Sequence, residues 1–171
     1  MGRKSVKENK NIYQQCREEA GLTREAAAEK LGFISADRIE KIESGKSAPH
    51  ADEVIPLSKC YKTPALRNYY CSHECPIGQE YVPEIHSNSL AEITLEMLAT
   101  LQTMSKDKER LIEITYDGKV SDEQLPDFLN IMDNLDKMSM TIDALKLWVD
   151  NTIESGAINV RLLEELKKKK R

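Results

Sequence analysis

The sequence is poor in the residues that build sheets. Of its 171 residues one is tryptophan, two are phenylalanine and six are tyrosine, and only seven are glycine. Strands draw on aromatic and β-branched side chains and their turns draw on glycine, so this scarcity leans the chain toward helix. No run comes near eighteen uninterrupted apolar residues, and no transmembrane helix is expected. The opening MGRKSVKENKN is basic but has no apolar core behind it, so a secretion signal is not expected either. The expected compartment is the cytoplasm, where thiols stay reduced, and disulfides among Cys16, Cys60, Cys71 and Cys75 are not anticipated. Catalytic signatures are missing as well. There is no glycine-rich phosphate loop and no H-E-x-x-H, and His50, His73 and His86 fall in expected loops without a visible carboxylate or nucleophile partner. Neither enzyme activity nor a cofactor is expected.

A strong excess of positive charge is also absent. The net charge of −4 argues against a general polyanion binder. Its distribution is uneven, however: residues 1–66 hold 12 Lys/Arg against 10 Asp/Glu, whereas residues 67–171 hold 13 against 19. The basic runs are Arg3, Lys4, Lys7 and Lys10 at the start and KKKKR at the end. Such runs are solvated tails, or arms that add phosphate contacts beside a DNA-binding unit.

What is present is helical punctuation. Ile12, Cys16 and Ala20 recur at helical spacing before Gly21. Thr23 is a natural N-cap for REAAAEKL, which stops at Gly32, and Ser35 is one for ADRIEKIE, which stops at Gly45. Val54, Leu57 and Tyr61 form the next stripe, with Pro56 expected in that helix's first turn, and TPALRNYY adds a short turn of helix. From Cys71 to about Ser87 the prolines Pro76 and Pro83 and Gly78 predict a linker. Two long periodic segments follow, Leu90 to Ile114 and Leu125 to Ile153, separated by Asp117-Gly118 and an S-x-x-Q capping box at Ser121 to Gln124. So short a connection folds them back antiparallel.

Two helices and a tight turn inside five helices suggest a helix-turn-helix. CREEAGLTREAAAEKLG, DRIEKIESGKSAP and EVIPLSKCYKTPAL resemble the Cro or phage-repressor helix-turn-helix family, also called the xenobiotic-response-element family. The resemblance spans roughly residues 10–68 and rests on Arg17, Gly21-Leu22-Thr23, Ala28, Leu31-Gly32, Ile39, Ile42-Glu43, Gly45-Lys46 and Pro49. It implies double-stranded DNA as partner and a recognition helix whose first two turns meet base edges. The residues so placed are Ser35, Ala36, Asp37, Arg38 and Lys41: Arg38 as a fork on guanine, Asp37 as an acceptor from cytosine, Ser35 with either. Arg24 would contact phosphate, Lys46 and Ser47 would follow toward the other strand, and Arg17 would pair with Glu43 inside the fold. Two departures stand out. GFISADRI is one residue longer between Gly32 and Ile39 than the common spacing, which alters the turn and can shift base contacts by one, and Ala27 replaces the usual leucine. A fold of this kind can also persist as a protein-interaction module without DNA affinity.

The second half has stripes too broad for one hairpin seam, with Phe128, Leu147 and Trp148 added to the second helix. A homodimer through the hairpin is the expectation, with docking of a second protein as the alternative. Calcium ligation over Glu113 to Gln124 is not expected, because Gln124 cannot offer the bidentate carboxylate that such a loop ends on. Cys60, Cys71 and Cys75 with His73 could supply metal or cluster ligands or a redox switch, but C-x10-C-x3-C matches no common signature, and burial at the seam between two domains explains them as well. No metal is assigned. The expected protein is all-α: a five-helix DNA-binding domain over residues 1–70, a linker over 71–87, and a helical hairpin over 88–171 with a basic tail.

Overall fold

The structure is a computed structural model that describes residues 10–86, 88–116 and 118–169. Arg3, Lys4 and Lys7 of the basic start, Ser87 of the expected linker, Asp117 of the hairpin tip, and Lys170 and Arg171 of the basic end lie outside the described residues. Among those described, the protein is all helix: α1 Ile12–Glu19, α2 Arg24–Leu31, α3 Ala36–Glu43, α4 Ala51–Cys60, α5 Ala65–His73, α6 Pro76–Tyr81, α7 Leu90–Thr115, α8 Leu125–Glu154 and α9 Val160–Lys169. No helix among them is long and apolar enough to cross a membrane. The chain divides into two compact units, Ile85–Val149 and the remainder.

In the first unit α1–α5 close around one core. Tyr13 and Cys16 of α1, Ala27 of α2, Ile39 and Ile42 of α3, Val54 and Leu57 of α4 and Leu66 of α5 are buried there, joined by Ile34 and Tyr61. The caps act as the sequence predicts. Thr23 accepts from the Ala26 N–H at 3.1 Å, and Ser35 accepts from the Arg38 N–H at 3.1 Å, each taking a donor that the helix leaves unpaired. Cys16 and Ala27 sit in the core as small residues, as expected.

Three expectations give way. Pro56 is the sixth residue of α4, not part of its first turn. The helix starts earlier than expected because Glu53 folds back to accept from the His50 N–H at 2.7 Å, fixing His50 as N-cap. Second, α5 is no single turn: it runs through Cys71 to His73, so His73 belongs to a helix and not to a loop, just as His50 is the α4 cap. Third, the stretch expected as a linker holds α6. Pro76 opens it at a position where a missing N–H costs nothing. Gly78 lets it lie directly on α5, for a Cβ there would sit 2.0 Å from the Cys71 carbonyl oxygen. A proline and a glycine that read as breakers are here a helix start and a close contact.

The same region is tied down by rings. Tyr69 meets Tyr13 edge-on, with centroids 6.3 Å apart, and stacks on His73 at 4.5 Å. Tyr13 donates to Glu74 at 2.9 Å, joining α1 to the end of α5. His73 Nε2 faces Glu84 at 3.5 Å. Among the described residues no three His, Cys, Asp or Glu side chains are gathered as a metal would need, so Cys60, Cys71, Cys75 and His73 do not form such a group.

In the second unit α7 and α8 pack together as a hairpin. Arg110 pairs with Asp127 at 2.8 Å, and farther from the tip Asn134 donates to Asp107 at 2.7 Å, an antiparallel register. Ile93, Ile114 and Ile131 are buried in the seam. Ser121 donates its backbone N–H to Gln124 at 3.0 Å, and Pro126 takes the second position of α8, which settles where that helix begins. Outside the seam α8 leaves Leu125, Leu129, Met132 and Met140 exposed, on the opposite side of the helix from buried Ile131, Asn134 and Thr141.

Candidate nucleic-acid interface

The expected site residues are positioned by the α2–turn–α3 unit. Gly32 ends α2 with a left-handed backbone, φ 75°, which a residue with a Cβ adopts only at a cost. Ile34 then turns into the core and Ser35 caps α3. Because Ile39, Ile42 and Glu43 face inward, Asp37, Lys41 and Ser44 face solvent.

Behind this surface lies a buried ionic brace. The Glu43 carboxylate accepts from Arg17 Nε at 2.5 Å and from a terminal Arg17 nitrogen at 3.0 Å, a two-point grip, while another Arg17 nitrogen donates to the Leu22 carbonyl at 2.6 Å. The Arg17 side chain is 7% exposed and that of Glu43 is 1% exposed. Arg17 thus does what the resemblance implied. Arg24 reaches the same carboxylate through Nε at 2.8 Å and keeps a third of its side chain, 35%, in solvent. Glu43 therefore fastens α3 to both α1 and α2.

Arg38 is placed differently from the expectation. Its Nε and one terminal nitrogen grip Glu53 at 2.8 and 2.6 Å, its other terminal nitrogen donates to Ser47 Oγ at 2.6 Å, and the Ala48 carbonyl accepts at 2.9 Å. The guanidinium is folded onto the loop before α4 and onto that helix's first turn, leaving no fork extended toward a guanine. Arg38 consequently holds the Glu53 carboxyl below the usual glutamate range, with burial opposing. Ser47 is drawn into the same knot. Glu53, which sequence reasoning did not single out, closes it; no local pattern links residues fifteen apart on separate helices.

The exposed cations are held loosely. Lys41 pairs with Asp37 one turn earlier at 2.6 Å, and Lys46 approaches Glu40 at 3.4 Å, all on the surface. Exposed pairs of this kind contribute about 0–1 kcal/mol and exchange readily for another anion. Ser35, Asp37, Lys41 and Lys46 are brought onto one exposed border of α3, with Ala36 half-buried beside them.

One further side chain belongs to this border. Phe33 is 65% exposed, while its neighbour Ile34 is 3% exposed. The residue that lengthens the turn has not displaced the core; it has pushed a phenyl ring out beside the α3 N-terminus. The signal was the longer spacing itself, though spacing cannot tell which of Phe33 and Ile34 turns inward.

Residues 14–66, about a third of the chain, match the family model described as helix-turn-helix. This head is a helix-turn-helix domain of the Cro/C1 type. The family model it matches is one of DNA-binding regulators. No curated protein and no solved structure matches the chain. The helix-turn-helix match begins within α1 and ends at Leu66 in α5, so it takes in the brace, the Arg38–Glu53 knot and the whole exposed border of α3.

Proposed function

We propose that the protein is a sequence-specific DNA-binding transcription regulator that acts as a homodimer on a two-fold site. The observation that carries this reading is the exposed border of α3, held rigid from behind by buried Glu43 and offering polar and cationic side chains at the end that enters a major groove first. Ser35, Ala36 and Asp37 face base edges, and Lys41 and Lys46 leave their weak carboxylate pairs for phosphates or a guanine edge. Arg24 retains enough exposure to reach a phosphate from the start of α2. Arg38, with Ser47, acts from behind the interface by holding α3 against the start of α4.

The apolar stripe on the outer side of α8 supports the dimer. A helix apolar on two opposite sides has one side left to cover, and a second copy covers it with matching symmetry. A two-fold assembly pairs two heads on one operator. The alternative, a different protein docked on the hairpin, rests on the same stripe.

Gel-shift titration against fragmented genomic DNA tests the reading. Wild type is expected to retard particular fragments and a Lys41→Ala/Lys46→Ala variant to bind them at least tenfold more weakly. If wild type prefers no fragment over bulk DNA, specific binding is refuted. Light scattering of the full chain with and without Leu129→Glu/Met132→Glu tests the dimer: wild type at twice the chain mass and the variant at one supports it, and a monomeric wild type at micromolar concentration removes it.

A further inference from the structure

Phe33 takes no part in the buried core of its own domain, and it lies outside the partly buried hydrophobics packed on that core. Two residues later Ser35 caps α3, and Ser35 and Asp37 are exposed like Phe33. The leading end of the recognition helix is therefore a phenyl ring next to a hydroxyl and a carboxylate. A phenyl ring makes no hydrogen bond to a base edge. Of the features a major groove offers, it is rewarded by one, the C5-methyl group of a pyrimidine, which in unmodified DNA is thymine. The ring projects from the turn and not from α3 itself, so the base it meets flanks those read by Ser35, Ala36 and Asp37.

On the DNA-binding reading above, we propose that Phe33 is a specificity-determining residue that packs on the C5-methyl of one thymine in each half-site. It distinguishes this position by shape and apolar contact, with no hydrogen bond lost or gained. The longer Gly32-to-Ile39 turn is what makes the contact available: Ile34 takes the core position, and the ring stays exposed.

The experiment begins with rounds of selection of random duplexes by the full-length wild-type protein, which supplies a preferred site. Each thymine of that site is then replaced in turn by deoxyuridine, which removes the methyl and nothing else. One replacement per half-site is expected to weaken wild type about fivefold to tenfold. Phe33→Ala should show the same loss on the unmodified site and no further loss on the uracil site, the mark of two changes that remove one contact. Phe33→Leu, which keeps an apolar side chain, should retain most of the methyl discrimination. Melting temperatures of the variants should match wild type, since the ring is exposed. If Phe33→Ala binds the unmodified site as wild type does, or if it still pays the uracil penalty, the proposal is overturned. A wild type that enriches no duplex overturns the DNA-binding reading, and this inference with it. A wild type that enriches a site indifferent to every uracil replacement overturns only the role of Phe33.

Discussion

Replacing Glu43 with glutamine should cost the helix-turn-helix domain more than any other single polar change. The substitution keeps the shape and removes the charge that compensates Arg17. Arg17 is 7% exposed, so its guanidinium would be left nearly buried with an uncompensated charge and with an amide N–H competing against its own donors. Breaking a buried pair from one side costs about 3–5 kcal/mol. The Arg24 leg adds little, about 1 kcal/mol at most, because a third of that side chain is in water. In a domain of this size each kcal/mol moves the midpoint by about 4–8 °C, so even the low end predicts a fall of about 12 °C or more. Differential scanning calorimetry of the full chain would read it, and circular dichroism at 222 nm would show which part of the helix signal is lost. The double variant Arg17→Met/Glu43→Met should recover most of the loss, since no charge is then stranded. A Glu43→Gln protein whose stability lies within about 1 kcal/mol of wild type, a shift of at most about 8 °C, would refute the brace as the element that fixes α3.

Other substitutions divide the structural roles. Arg38→Ala should lower both thermal stability and DNA affinity, whereas Lys41→Ala should lower affinity and leave the unfolding free energy within about 0.5 kcal/mol of wild type; equal behaviour of the two would return Arg38 to direct base contact. The Arg38–Glu53 pair also sets an acid limit. A carboxyl whose folded pKa lies below its ordinary 4.5 stabilises the fold fully above that value and loses the contribution as pH falls through the folded pKa. Acid unfolding of Glu53→Gln should therefore be less steep below about pH 4.5 than that of wild type, and identical acid limbs would count against the pair. Gly78→Ala should detach α6 from α5, exposing Cys71 to faster alkylation by a thiol reagent than in wild type; an unchanged rate would mean that α6 shifts to make room. Lys62 stands at φ 56° just past the end of α4, with the Lys62 and Thr63 N–H groups returning to the Lys59 and Ser58 carbonyls. Glycine bears that backbone without strain, so Lys62→Gly should stabilise the domain by about 0.5–1 kcal/mol in urea unfolding, and a loss of stability would contradict the geometry.

Local chemistry was readable from the chain, and long-range partnership was not. Thr23 and Ser35 announce helix starts because a cap acts within three residues. Ile39 and Ile42 announce the inner face of α3 because helical spacing is local too. The Arg17–Glu43 pair came through family resemblance, not through spacing. By contrast, Arg38 has two competing destinations, solvent beyond α3 or the Glu53 carboxylate on α4, and only the folded chain decides between them. Phe33 and Ile34 are two apolar neighbours competing for one core position, which Ile34 takes once the fold closes. Pro76 and Gly78 misled because each has two meanings: a breaker in isolation, but a helix start and a close-packing site once α5 lies alongside.

On the function proposed above, the exposed border of α3 reads a particular DNA sequence as one half of a two-fold pair. The most direct measurement is sequencing of random duplexes selected by the purified full-length protein. The expected result is an inverted repeat whose half-sites are centred about one helical turn, about 10 base pairs, or a multiple of it apart, and loss of that consensus with Lys41→Ala/Lys46→Ala. Recovery of no consensus, with binding that depends only on salt and total DNA, would contradict it.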